Sequence, residues 1–144
     1  MAQVNPYLVF NGSCEEAFNF YKSVFGGEFR QISKFKDMPP MPGQTLPDGA
    51  GEKIMHVSLP ISNETILMGS DANPNMGAVS IGQHLSLSVG VDSKEEANKV
   101  FNGLATGGKV TMPIQDTFWG AYFGMLTDKF GFIWMVNYDY PKKD

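Results

Sequence analysis

Two histidines, one cysteine and a scatter of carboxylates are the side chains of this 144-residue sequence that could hold a proton, a metal or a covalent intermediate. His56, in KIMHVSLPI, alternates with Ile54 and Ser58 opposite Met55, Val57 and Leu59. Facing a hollow, its imidazole would serve as acid, base or hydrogen-bond donor near neutral pH. Otherwise it is a hydrogen-bonded strand histidine without chemistry. His84 opens a later apolar run, where exposure is common, and is open to the same two readings. Cys14 stands at a helix start, and a single cysteine excludes an internal disulfide framework and a cysteine-rich metal site. No Ser/His/Asp or Cys/His set can be assembled, so no residue is assigned a catalytic role. Asp71 reads as a turn cap beside Asn73-Pro74, and Glu52 and Glu64 as solvated.

Recognition by packing is better provided for. The segment Asp116 to Tyr138, DTFWGAYFGMLTDKFGFIWMVNY, reads as a hairpin of two strands, Trp119 to Leu126 and Phe132 to Tyr138, parted by turn residues that end in Gly131. Alternation puts Ile133, Met135 and Asn137 on one face and Phe132, Trp134, Val136 and Tyr138 on the other. A strand apolar on both faces is covered on both, so one face meets helices and the other lines core or a pocket. Trp119, placed before a glycine, either walls that pocket and stacks on a planar ligand or plugs the sheet end.

Composition narrows the classes further. The chain has the length of one ordinary domain and a globular 42% hydrophobic content. No apolar run approaches a membrane span, and MAQVNPYLVF carries no basic region followed by a hydrophobic stretch, so a soluble cytoplasmic protein is expected. Net charge is −4 and Arg30 is the one arginine, which disfavours nucleic acid and multiply charged phosphates. Neither GxGxxG nor GxxxxGK[ST] occurs.

The elements that must position these residues repeat. Ser13-Cys-Glu-Glu-Ala17 recurs as Ser93-Lys-Glu-Glu-Ala97, an offset of 80 (93 − 13). Each copy follows a strand-like run, Val4 to Phe10 and His84 to Val91, and opens an amphipathic helix with a serine N-cap and a glutamate three residues on. Gly26-Gly27 and Gly107-Gly108 stop the helices. Strand candidates follow at Glu28 to Lys36, Lys53 to Pro60 and Thr65 to Gly69, then at Lys109 to Met112 and the hairpin. The pattern is βαβββ twice. Asp37 to Glu52, with four prolines and three glycines, is a long irregular connection of the kind that forms a lid or stays disordered. Asp71 to Gly82 joins the halves, and Tyr140 to Asp144 is a polar tail.

PYLVFNGSCEEAFNFYKSVFGG at the start, ILMGSDANP at the centre, and DSKEEA followed by TFWGAYFGMLTDKFGFIWMVN resemble the PhnB-like branch of the vicinal oxygen chelate superfamily, the glyoxalase and bleomycin-resistance group. The resemblance covers nearly the whole chain. It implies an α+β fold in which tandem βαβββ modules, about 1–72 and about 83–140 with a linker at about 71–82, form curved mixed sheets around a cleft in one domain, 1–144. It also implies a homodimer, with the modules pairing within or between chains. Some members carry the label of demethylubiquinone methyltransferase, which the missing nucleotide motif does not support here.

In the superfamily's metal enzymes four His, Gln or Glu side chains hold one divalent ion and leave two positions for substrate oxygens. Carried onto this chain, those positions fall at Pro6 or Asn5, at Leu67 or Met68, at His84 or Ser86, and at Met135. At most one of the four is a strong ligand, so the usual metal site is expected to be lost and no cofactor is implied. The expectation is a binding protein holding a small apolar or aromatic molecule among Phe10, His56, Met68, His84, Trp119, Phe123 and Met135, since methionine and aromatic side chains make adaptable apolar linings. The alternatives are a glyoxalase- or dioxygenase-type enzyme with a divalent metal on His56 and His84, and a chain whose cleft is filled by its own side chains and which acts through its dimer surface.

Overall fold

The computed structural model describes residues 2–39 and 45–142, so part of the proline-rich connection and the end of the polar tail lie outside it. The chain divides into two compact units, residues 1–80 and 81–144, and each runs strand, helix, three strands.

In the first unit β1 (Tyr7–Phe10), α1 (Cys14–Phe25), β2 (Gln31–Lys34), β3 (Ile54–Pro60) and β4 (Ile66–Asp71) form a sheet of order β1-β4-β3-β2. Only the β1–β4 pair is parallel, because the helix carries the chain across. The second unit repeats this with β5 (Ser86–Gly90), α2 (Lys94–Ala105), β6 (Lys109–Asp116), β7 (Ala121–Thr127) and β8 (Ile133–Asp139), in the order β5-β8-β7-β6 with β5 parallel to β8. The expected α+β fold of tandem βαβββ modules is therefore present.

Each helix buries one stripe against one face of its own sheet. Ala17, Phe18, Tyr21 and Val24 of α1 cover Leu8, Phe10, Val57 and Leu67. Ala97, Val100, Phe101 and Leu104 of α2 cover Leu126, Trp134 and Val136. Each large side chain so buried contributes about 1.5–3 kcal/mol. The helices lie close because glycine stands beneath them. A Cβ on Gly69 would sit 2.7 Å from the Phe18 ring, and one on Gly124 would sit 2.7 Å from the Phe101 ring.

The two helix starts share a sequence but not a cap. Ser93 Oγ accepts the Glu96 amide at 3.0 Å, as the motif leads one to expect. Ser13 makes no side-chain cap bond. Its place is taken by Asp71, whose Oδ1 accepts the Gly12 and Cys14 amides at 2.9 and 3.0 Å while Oδ2 accepts the Ile54 amide at 2.8 Å. Asp71 is thus a buried clamp on α1 and β3, not the turn cap beside Asn73-Pro74; there Asn73 itself accepts the Asn75 amide.

Several strands differ in extent from the sequence reading. β1 starts at Tyr7 because Asn5 and Pro6 instead accept the Ile66 and Met68 amides through a side-chain and a backbone oxygen. β2 stops at Lys34, where Asp37 takes the Lys34 amide and turns the chain into a short 3-10 helix. β6 extends to Asp116, and the chain reverses through Thr117–Gly120 with Gly120 at φ +91°, so Trp119 stands in that turn and not in β7.

Candidate functional site

Because one face of each sheet is closed by a helix, the opposite face is where small molecules can be met. In the first unit Tyr7 pairs with Met68, Met68 pairs with Ser58, and His56 lies two residues before Ser58. Tyr7, His56 and Met68 therefore share the face turned away from α1, while their neighbours Leu8, Val57 and Leu67 are buried beneath the helix. The Tyr7 hydroxyl stands 3.5 Å from His56 Nδ1, and the two rings stack at 5.9 Å between centroids. Ser33 pairs with His56 across β2 and β3, and its buried hydroxyl has no hydrogen-bond partner among the described residues. A donor or acceptor brought by a ligand would satisfy it. Phe10 is not on this face: it is buried on the helix side, edge-on to Phe18 at 6.1 Å.

In the second unit Phe123 pairs with Asn137 and Met125 with Met135, all on the face away from α2. Their neighbours Gly124, Leu126, Trp134 and Val136 are buried on the helix side. Trp119 leans over this face from its turn, with its ring 6.1 Å from that of Phe123, and is 58% exposed. Met135 and Phe123 are half-buried. The result is a soft, polarisable platform of aromatic rings and thioethers, suited to a flat apolar molecule. His84 is exposed and lies two residues before β5 begins, so it is not a strand residue.

The positions at which the superfamily's metal enzymes carry donors are occupied as the sequence shows. Asn5 spends its side-chain oxygen on the Ile66 amide, Leu67 is buried under α1, and Met68 and Met135 present thioethers on the open faces. Among the described residues no three His, Cys, Asp or Glu side chains are placed to share an ion. Thioethers and a prolyl ring are poor partners for the hard divalent ions that such sites take.

A feature that the sequence reading did not assign is a hollow of about 660 Å³ within the first unit. Its apolar walls include Phe35, Met38, Leu46 and Met55, and Ser70 and Asn73 supply polar groups. None of the seven residues expected to bind ligand lines it. The available signal was the set of apolar side chains scattered through the proline- and glycine-rich connection after β2. The Cys14 thiol is buried, and that burial, reinforced by the charges of Asp71 and Glu15, pushes its pKa far up and leaves it unreactive.

Comparison with known proteins agrees with this architecture. A family model described as 3-demethylubiquinone-9 3-methyltransferase matches residues 2–137. Protein YjdN of Escherichia coli K12 is 37% identical over 145 residues, covering 93% of each chain. The crystal structure of PA1353 from Pseudomonas aeruginosa superposes with a TM-score of 0.84 at 44% identity, covering 96% of this chain and 98% of that one. The PhnB protein of Bacillus cereus, described as a putative 3-demethylubiquinone-9 3-methyltransferase, gives a TM-score of 0.71 at 27% identity over 95% and 99% of the two chains. A glyoxalase/bleomycin resistance protein from Albidiferax ferrireducens T118 shares the fold at 14% identity, with a TM-score of 0.62 over 94% and 97%.

Two helix-backed mixed sheets with open faces of this kind define a protein of the glyoxalase and bleomycin-resistance fold. Within that class the chain belongs to the PhnB-like family described as 3-demethylubiquinone-9 3-methyltransferase. None of the described helices is long and apolar enough to cross a membrane.

Proposed function

We propose that this chain binds a small, planar, apolar or aromatic molecule without a metal ion. The observation that carries the reading is the platform of Trp119, Phe123, Met125 and Met135 on the open face of the second sheet, where soft side chains stand half-buried or exposed and the one carboxylate of β8, Asp139 at the strand end, accepts the Asn137 side-chain amide. Within the first unit, His56 with Tyr7 and the unpartnered Ser33 hydroxyl give the open face of that sheet polar groups of its own. The donor set at the four positions used by metal enzymes, rich in thioethers, supports binding without an ion. The methyl transfer in the family's descriptive name would need a donor cofactor, and the sequence has no glycine-rich nucleotide motif to hold one.

The reading includes a homodimer. Val110 and Met112 on the edge strand β6 and Phe118 in the turn after it are exposed apolar side chains that a second copy would cover. Light scattering on the purified chain gives its mass directly.

Thermal-shift and calorimetric screens with naphthalene, 2-naphthol, indole and quinoline test the binding. At least one of them is expected to raise the melting temperature of the wild type, since a molecule bound only by the folded form stabilises that form. Trp119→Ala is expected to cancel the shift. A set of hits that is insensitive to Trp119→Ala, or no hit at all, counts against the reading.

A further inference from the structure

We propose that the first unit holds a ligand chamber of its own, for an uncharged small molecule, in the hollow between the turn after β2 and the turn after β4. Its volume of about 660 Å³ falls within the range of true ligand pockets. Its walls come from three places in the sequence. Phe35 and Met38 follow β2, Met55 comes from β3, and Ser70 and Asn73 come from the end of β4 and just beyond it. Met55 reaches the hollow because the β2–β3 register slips between Ser33 and Lys34. Such a bulge re-aims a side chain that strict alternation would hide.

The two charged side chains that line the hollow already have hydrogen-bond partners. Both oxygens of Asp71 are taken by the amides of Gly12, Cys14 and Ile54. The Lys36 ammonium is bound to Glu52 Oε1 at 2.8 Å. What faces an occupant is apolar wall together with the hydroxyls of Ser70 and Thr45 and the amide groups of Asn73 and Asn75. Three of the acceptor sites of Asp71 are taken by backbone amides and Lys36 already has Glu52 beside it, so neither charged group stands unpartnered toward an occupant. An apolar body with a neutral hydroxyl, carbonyl or amide end matches the apolar wall and the uncharged polar groups among the described residues.

The test uses two fluorescent probes with one aromatic skeleton, N-phenyl-1-naphthylamine, which is neutral, and 1-anilinonaphthalene-8-sulfonate, which is anionic. Titration is done on Trp119→Ala protein, so that the platform of the second unit is removed, and again after adding Ser70→Trp to fill the chamber. The neutral probe is expected to bind Trp119→Ala protein, and Ser70→Trp to weaken it by about tenfold or more. The sulfonate is expected to bind at least about tenfold more weakly than the neutral probe. Methyl-labelled methionine spectra should show Met38 and Met55 shifted by the neutral probe. If Ser70→Trp fails to fold, Met55→Trp fills the same space from the other wall. The chamber is refuted if the neutral probe no longer binds once Trp119 is removed, if the filled variants bind it unchanged, or if the sulfonate binds equally well. In each of these cases the reading of the second unit stands or falls separately, on the effect of Trp119→Ala on planar aromatics in the otherwise native chain.

Discussion

The carboxylate of Asp71 accepts the backbone amide of Cys14 at 3.0 Å, so the last residue of β4 caps the first helix of the chain. The same carboxylate holds the start of β3 through the Ile54 amide, tying three elements to one side chain. Asp71→Ala strands three amide donors in or beside the core, each worth about 1–3 kcal/mol to leave unpaired. The expected loss is about 3 kcal/mol or more, read as a lower urea midpoint.

The two serines of the repeated motif should then differ. Ser93→Ala removes a bond to the Glu96 amide and is expected to cost about 1 kcal/mol. Ser13→Ala removes no cap bond and is expected to change stability by less than about 0.5 kcal/mol. Paired urea melts of the two variants check this, and equal losses would contradict the division of labour between Ser93 and Asp71.

Cys14 reports on the same region. Its thiol is 0% exposed, with a pKa pushed far up by burial and then by Asp71 and Glu15. In native protein it should resist 5,5′-dithiobis(2-nitrobenzoate) at mildly alkaline pH and react at once in urea. Rapid reaction of the folded protein would show that α1 does not sit on its sheet as described.

Glu52 bridges Lys36 at 2.8 Å and Lys34 at 3.0 Å, and hydrogen bonds to the two ammonium groups bring its pKa down to about 2. A carboxyl lowered on folding stabilises above its unfolded value, about 4.3, and loses that contribution as pH falls through the folded value. The wild type should therefore lose a small increment between about pH 4 and pH 2 that Glu52→Gln lacks, and salt should shrink it because the group is exposed. Acid titration of the melting temperature for both proteins measures the difference.

How far the sequence reaches can be traced through these residues. The repeated SxEEA start and the paired glycine stops are local signals, and the helices they predict are α1 and α2. The part played by Asp71 was hidden because its partners lie 57 and 17 residues away in the chain, where no local pattern connects them. Alternation placed Ile54 with His56, but the slip opposite Ser33 and Lys34 turns Ile54 into the core and leaves His56 on the open face. Trp119 was visible as a large ring beside a glycine. That it stands in a turn depends on the length of β6, which the mixed pattern of KVTMPIQD did not disclose. Phe10 was placed in the hollow, yet the parity of β1 that puts Tyr7 on the open face sends Phe10 beneath α1. The chamber of the first unit needs three separated segments at once, so no single stretch announced it.

Titration calorimetry of 2-naphthol tests most directly whether a ligand is held without an ion. The protein is first dialysed against EDTA and then supplied in turn with Mn²⁺, Ni²⁺ and Zn²⁺. The expected result is the same affinity in all four conditions, with Trp119→Ala weakening each alike. Binding that vanishes in EDTA and returns with one equivalent of a divalent ion per chain would contradict it.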